Sequence, residues 1–155
     1  MAKVILQLSG VTKKFGPALP ADNLSLSVNR GEFFTFLGPS GSGKSTILRM
    51  IAGLELPDSG RIEIDGRDVA QLPPWERDLG MMFQGYAVFP HMTVAENIAY
   101  GLQVRGLSAL EQKSRVNQML ELVGLDGMAG KNASLLSGGE QQRVALARAL
   151  APQPK

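Results

Sequence analysis

The chain has 155 residues, 44% of them hydrophobic and 19% charged, a formal net charge of +2 and no cysteine. That length suits one domain with a core of its own, and the lack of cysteine excludes disulfides and thiolate-bound metal and fits a reducing compartment. No apolar run reaches the ~18 residues of a membrane-spanning helix, so a membrane role is expected to come through a partner. The basic residues are scattered, not gathered into a stripe interleaved with aromatics, and nucleic acid is not an expected partner.

Val4, Leu6 and Leu8 alternate with more variable neighbours and predict a first strand. Leu24-Ser25-Leu26-Ser27-Val28 alternates strictly, as a half-buried antiparallel strand does. Between them Phe15, in Lys13-Lys14-Phe15-Gly16, is a large aromatic in an exposed setting. It either stacks on a nucleobase or packs beneath a loop. After the turn Asn29-Arg30-Gly31, the apolar run Phe33-Phe34-Thr35-Phe36-Leu37 predicts a central parallel strand buried on both faces.

That run leads into Gly38-Pro39-Ser40-Gly41-Ser42-Gly43-Lys44-Ser45-Thr46, a G-x-x-x-x-G-K-[ST] sequence set between an expected strand and an expected helix. Its three glycines let the backbone curl until successive N–H groups point into one concavity, and the positive end of the following helix faces the same way. Lys44 adds a point charge near β- and γ-phosphates, and the Ser45 hydroxyl is placed to ligate Mg²⁺. The loop reads as a nucleoside triphosphate site.

The helix from Ser45 is expected to bury Ile47, Leu48, Ile51 and Leu54, with Gly53 and Pro57 marking its end. Arg61-Ile62-Glu63-Ile64 alternates and closes at Asp65-Gly66, a hairpin signal, and Leu79 to Phe83 predicts a second short buried strand ending at Gln84. Thr93-Val94-Ala95-Glu96 and Ser108-Ala109-Leu110-Glu111 are capping boxes that open two helices; the second carries Val116, Met119, Leu120 and Val123 on one stripe and stops at Gly124. Ser137-Gly138-Gly139-Glu140 is a third box, opening a helix through Val144, Ala147 and Leu150. Two glycines in a first turn cost up to about 1 kcal/mol each relative to alanine, and they leave the N–H groups unshielded for an anion.

Leu136-Ser137-Gly138-Gly139-Glu140-Gln141-Gln142-Arg143, together with the Gly38 to Thr46 loop, resembles the signature pair of ATP-binding cassette (ABC) ATPases. Leu79 to Gln84 resembles that family's Q-loop, and Phe89-Pro90-His91-Met92-Thr93-Val94 the stretch after it in bacterial importer ATPases, while the longer stretch from Leu72-Pro73-Pro74 to Leu102 resembles the importers of inorganic anions, iron, polyamines or sugars. The resemblance implies an α/β fold: a P-loop core, an N-terminal antiparallel β-subdomain and an α-helical subdomain. It divides the chain into a β-subdomain and P-loop core over about 1–92, a helical subdomain over about 93–137 and a signature helix over 138–155.

The resemblance also implies roles. ATP and Mg²⁺ are the cofactors, Phe15 stacks on adenine, the Gly38 to Thr46 loop holds the phosphates, and Ser45 with Gln84 holds the metal, Gln84 being the catalytic candidate. Ser137, Gly138 and Gly139 meet the γ-phosphate bound by a second ATPase subunit in a head-to-tail dimer. Integral membrane permease subunits are the further partners, with a solute-binding protein engaged indirectly, at the cytoplasmic face of the inner membrane.

The chain stops at Ala151-Pro152-Gln153-Pro154-Lys155, where relatives continue into an apolar strand bearing an aspartate and the glutamate that polarises water. The expectation is therefore an incomplete core sheet and little ATP turnover by this chain alone. His91 is expected to be a surface or contact residue, not the family's switch histidine. Relatives often carry proline within the segment filled by Lys131-Asn132-Ala133-Ser134-Leu135, which leaves the shape of that loop open. A soluble ABC-type ATPase or nucleotide-gated interaction module is the alternative reading.

Overall fold

The computed structural model describes residues 3–155 and divides into two compact units, Met1–Leu79 and Gly80–Lys155. In the first unit, β1 (Val4–Phe15) and β2 (Ala18–Asn29) form an antiparallel hairpin, and β3 (Ser59–Ile64) pairs with the other edge of β1 and with the short β4 (Arg67–Asp68). The order is β2-β1-β3-β4. Leu8 pairs with Leu26 on one side and Ile62 on the other, so the alternation predicted at both strands puts apolar side chains on one face. That face packs on Ile47, Met50 and Ile51 of α1 (Lys44–Ala52), each such burial contributing about 1.5–3 kcal/mol.

Asp65 at φ 51° and Gly66 at φ 79° make the tight turn expected between β3 and β4. Helix α1 ends earlier than its periodicity suggests. Gly53, at φ 79°, donates to the Met50 carbonyl, and Leu54 N reaches the Arg49 carbonyl, closing a glycine C-cap. Leu54 lies past the helix end and is half-exposed; Leu48, on the outward side of α1, is half-exposed too, and Met50 is fully buried in its place.

Two predicted strands do not form. Phe33 to Leu37 pairs with no strand among the described residues; Phe33 is 95% and Leu37 89% exposed. The Leu79 to Phe83 run is likewise not a strand. A strand of the parallel, doubly buried type needs hydrogen-bonded neighbours on its flanks, and apolarity alone supplies none. Phe36 still packs against the first unit's core, with its ring edge-on to Phe34 at 5.2 Å between centroids.

The second unit holds α2 (Val94–Val104), α3 (Ala109–Leu122) and α4 (Gly138–Leu150) around Val94, Ile98, Leu102, Val116, Met119, Leu120 and Val144. All three capping boxes are closed in both directions. Gly124, at φ 62°, stops the chain just past α3 as its sequence predicts. The fold is thus α/β, with an antiparallel sheet and P-loop helix in one unit and a helical second unit.

Candidate functional site

The glycine loop curls directly into α1, whose N-cap is Gly43 in the left-handed region at φ 88° with no side-chain cap. Gly41, at φ 82°, needs the same freedom. A Cβ on Gly43 would overlap the Pro20 carbonyl, so here the loop lies against β2 more closely than any side chain permits. The Lys44 ammonium turns back into the curl, donating to the carbonyls of Gly38 at 2.8 Å and Pro39 at 2.6 Å and to Ser42 Oγ at 3.1 Å.

Within the loop, Ser42 N donates to the Pro39 carbonyl, and Ile47 N donates to Gly43 as the first regular helical bond. The N–H groups of Gly41, Gly43, Lys44 and Ser45 have no acceptor among the described residues. No acidic residue sits in the first turn of α1, whereas α2, α3 and α4 each carry their own glutamate there. Free donors, an uncompensated dipole end and an ammonium on one exposed loop make a cradle for phosphate oxygens. Ser45, also exposed, offers a hydroxyl for Mg²⁺. No group of three His, Cys, Asp or Glu placed to hold a metal ion occurs among the described residues.

Phe15 ends β1, opposite Ala18, and is 47% exposed with the Lys13 ammonium 5.0 Å from its ring centroid. Lys13 itself is 9% exposed and ion-paired to Glu55 at 2.7 Å and Asp58 at 3.3 Å. The Glu55 hydrogen bond, foremost, raises the lysine's pKa despite its burial, while the backbone N–H of Lys14 draws the Asp58 carboxyl down. Periodicity gave no hint of this lysine's role, because both carboxylates lie more than forty residues along the chain.

In the second unit Gln84 is exposed on a turn. The chain after it bends sharply: Tyr86 and Ala87 are consecutive non-glycine residues at φ 59° and 50°, and Tyr86 N donates to the Phe83 carbonyl at 2.9 Å. Two residues that the sequence reading passed over fix this segment. Asn97, 0% exposed, accepts from Phe89 N at 2.8 Å and donates to the carbonyls of Phe89 and Thr93, both at 3.0 Å. Arg148 of α4 lies 4.8 Å over the Phe89 ring and donates to the Tyr86 carbonyl at 3.3 Å. An asparagine beside Ile98, within the apolar part of α2, was a legible signal; Arg148 offered none. His91 is exposed, 6.2 Å from the Phe89 ring, as expected of a surface residue.

Ser137 caps α4, accepting from Glu140 N and donating its hydroxyl to Glu140 Oε2 at 2.7 Å. That hydroxyl, and then Ser137 N, hold the Glu140 carboxyl below the usual glutamate range. Nothing lies within 4 Å of a Cβ built on Gly138, and the N–H groups of Gly138 and Gly139 have no acceptor among the described residues. The preceding segment needs no proline: Asn132 accepts from Ser134 N at 2.9 Å to start a 3-10 turn at Ala133–Leu135, and Ala133 N donates to the Met92 carbonyl.

The sequence profile of the ABC transporter family matches residues 21–155. The chain belongs to that family. Among similar ABC proteins, a spermidine/putrescine import ATP-binding protein (PotA) of Mesorhizobium japonicum is 51% identical over 97% of this chain and 42% of its own length. An Fe(3+) ions import ATP-binding protein (FbpC) of Brucella abortus is 56% identical over 94% of this chain and 41% of its own. A sulfate/thiosulfate import ATP-binding protein (CysA 2) of Chromobacterium violaceum is 53% identical over 96% and 40%. This ABC chain therefore spans about two fifths of the length of these relatives. A solved ATP-binding cassette, a dimer in a post-hydrolysis state bound to ADP and Pi, superposes with a TM-score of 0.86 at 36% identity, covering 97% of this chain and 71% of that one.

Proposed function

We propose that the chain is the nucleotide-binding portion of an ATP-hydrolysing subunit that energises solute import. The observation that carries this reading is the Gly38 to Thr46 cradle, where unbonded N–H groups, an uncompensated helix end and the Lys44 ammonium converge. A triphosphate would supply the oxygens these donors lack, and Mg²⁺ would offset its negative charge. Lys44 would exchange its carbonyl partners for phosphate oxygens, Ser45 and Gln84 would hold the metal, and Phe15 would carry the base.

The bare turn at Gly138 and Gly139 is assigned to the γ-phosphate held by a second subunit, in keeping with the dimeric ADP- and Pi-bound cassette it resembles. Residues 1–92, 93–137 and 138–155 are assigned as β-subdomain with P-loop core, helical subdomain and signature helix. Glu96, Glu111 and Glu140 are each held by their own helix cap, and none is assigned as the general base. The homologous import proteins support peripheral attachment to membrane permease subunits at the cytoplasmic face, with a solute-binding protein delivering the cargo.

Lys44→Ala tests the cradle. ATP binding by calorimetry should weaken by about 1.5–3 kcal/mol, the worth of hydrogen bonds to a charged group. Unchanged affinity would remove the phosphate site from Lys44. Co-purification with an integral membrane protein tests the import role, and recovery only with ribosomes or nucleic acid would overturn it.

A further inference from the structure

We propose that Lys13 is a positioning residue for nucleotide binding: it seats the Phe15 ring as a one-sided platform for the base and ties that platform to the phosphate cradle. The proposal rests on the nucleotide reading of Phe15 and Lys44. Its ground is a pair of contacts made by one nearly buried ammonium. Lys13 Nζ lies 5.0 Å from the Phe15 ring centroid, and it bonds Glu55 at 2.7 Å, the Leu56 carbonyl at 2.8 Å and Asp58 at 3.3 Å.

Residues two apart on a strand share a face, so Lys13 and Phe15 meet through the pleat of β1. A cation over a ring face is attracted by the aromatic quadrupole and restrains the ring's rotation. It also covers that face, leaving the other to a planar base. The partners of Lys13 then matter. Glu55, Leu56 and Asp58 form the short connection that follows α1, the helix whose first residue is Lys44.

Asp58 fastens the same spot two more ways besides its bond to Lys13. Its Oδ2 accepts from Lys14 N at 2.7 Å, its Oδ1 pairs with Lys13, and its own N donates to the Thr12 carbonyl at 2.9 Å. A continuous rigid path thus runs from the phosphate-binding end of α1, through the helix and its C-cap, into the Lys13 cluster and out to the Phe15 ring. Two subsites joined by such a path are held at a set spacing before ligand arrives, which spares the ordering that binding would otherwise require.

The test compares ATP with inorganic triphosphate, each with Mg²⁺, by calorimetry on the full chain. Lys13→Met keeps the apolar stem and removes the charge; ATP affinity should fall about three- to tenfold while triphosphate affinity stays unchanged. Lys13→Arg, which can still pair with the carboxylates and face the ring, should restore most of the loss. Glu55→Gln loosens the lysine without removing it, and should give a smaller loss in the same direction; it serves as the reporter should Lys13→Met fail to fold. Equal loss of both ligands, or of neither, would overturn the proposal. Phe15→Ala separates the two readings. If it lowers ATP affinity and Lys13→Met does not, only the role of Lys13 has failed; if it too leaves ATP preferred as before, the base platform itself has failed.

Discussion

The Arg77 guanidinium donates to the Met50 carbonyl at 2.6 Å, at the point where the helix that begins with Lys44 comes to its end. The same group reaches the carbonyls of Ile51 at 3.0 Å, Leu72 at 2.7 Å and Ala70 at 3.2 Å, and is 2% exposed. A cation at a helix C-terminus complements its negative end, and here it bonds the Ile51 carbonyl and adds a second donor to the Met50 carbonyl that Gly53 N already caps. Burial draws its pKa downward, but a guanidinium stays charged throughout the working pH range.

Arg77→Met should therefore destabilise the first unit by about 3 kcal/mol, since removing the donor strands buried acceptors. Urea unfolding followed by circular dichroism measures it. A loss under half a kcal/mol would mean that water replaces the guanidinium.

Gly43→Ala carries a different cost. The residue sits at φ 88°, and a methyl group there meets the Pro20 carbonyl, so the loop must open before alanine fits. ATP binding should be lost below detection, with the melting temperature lower. By contrast Gly41→Ala meets no atom within 4 Å, leaving only its backbone strain at φ 82°, and should retain weak binding. Equal effects of the two changes would deny the close approach to β2.

Ser137→Arg fills the open space beside Gly138 and should spare ATP binding by the monomer while blocking ATP-dependent dimerisation. Analytical ultracentrifugation with and without ATP reads this directly. Dimerisation as in the parent would place the partner's phosphate elsewhere.

Acid should loosen the second unit in a defined way. Glu96 is held below its ordinary range first by the Thr93 backbone N–H, and Glu111 first by the Ser108 hydroxyl. A carboxyl with a depressed folded pKa contributes stability that is present above the unfolded value and is lost as pH falls through the folded one. Helicity at 222 nm should thus decline as pH drops below the ordinary glutamate range. Glu111→Gln should flatten part of that decline, and an unaltered acid profile would assign the pH response to other groups. Ser108→Ala should cost about 0.5–2 kcal/mol at neutral pH.

What the chain determined by itself is everything settled within a few residues. The three capping boxes close because hydroxyl and carboxylate lie three apart at a helix start, Asp65-Gly66 turns because glycine takes the positive φ, and the glycine loop curls into α1 for the same reason. The curl of the glycine loop and the bare Gly138 turn were legible on those grounds. Tertiary structure decided the rest. Phe33 to Leu37 has the composition of a central strand yet is none here, because strand formation depends on hydrogen-bonding neighbours that apolarity does not specify. The partners of Lys13, Arg77 and Arg148 were equally unreadable, since a charged side chain's partner is chosen by which distant backbone or carboxylate the packing brings within about 3 Å.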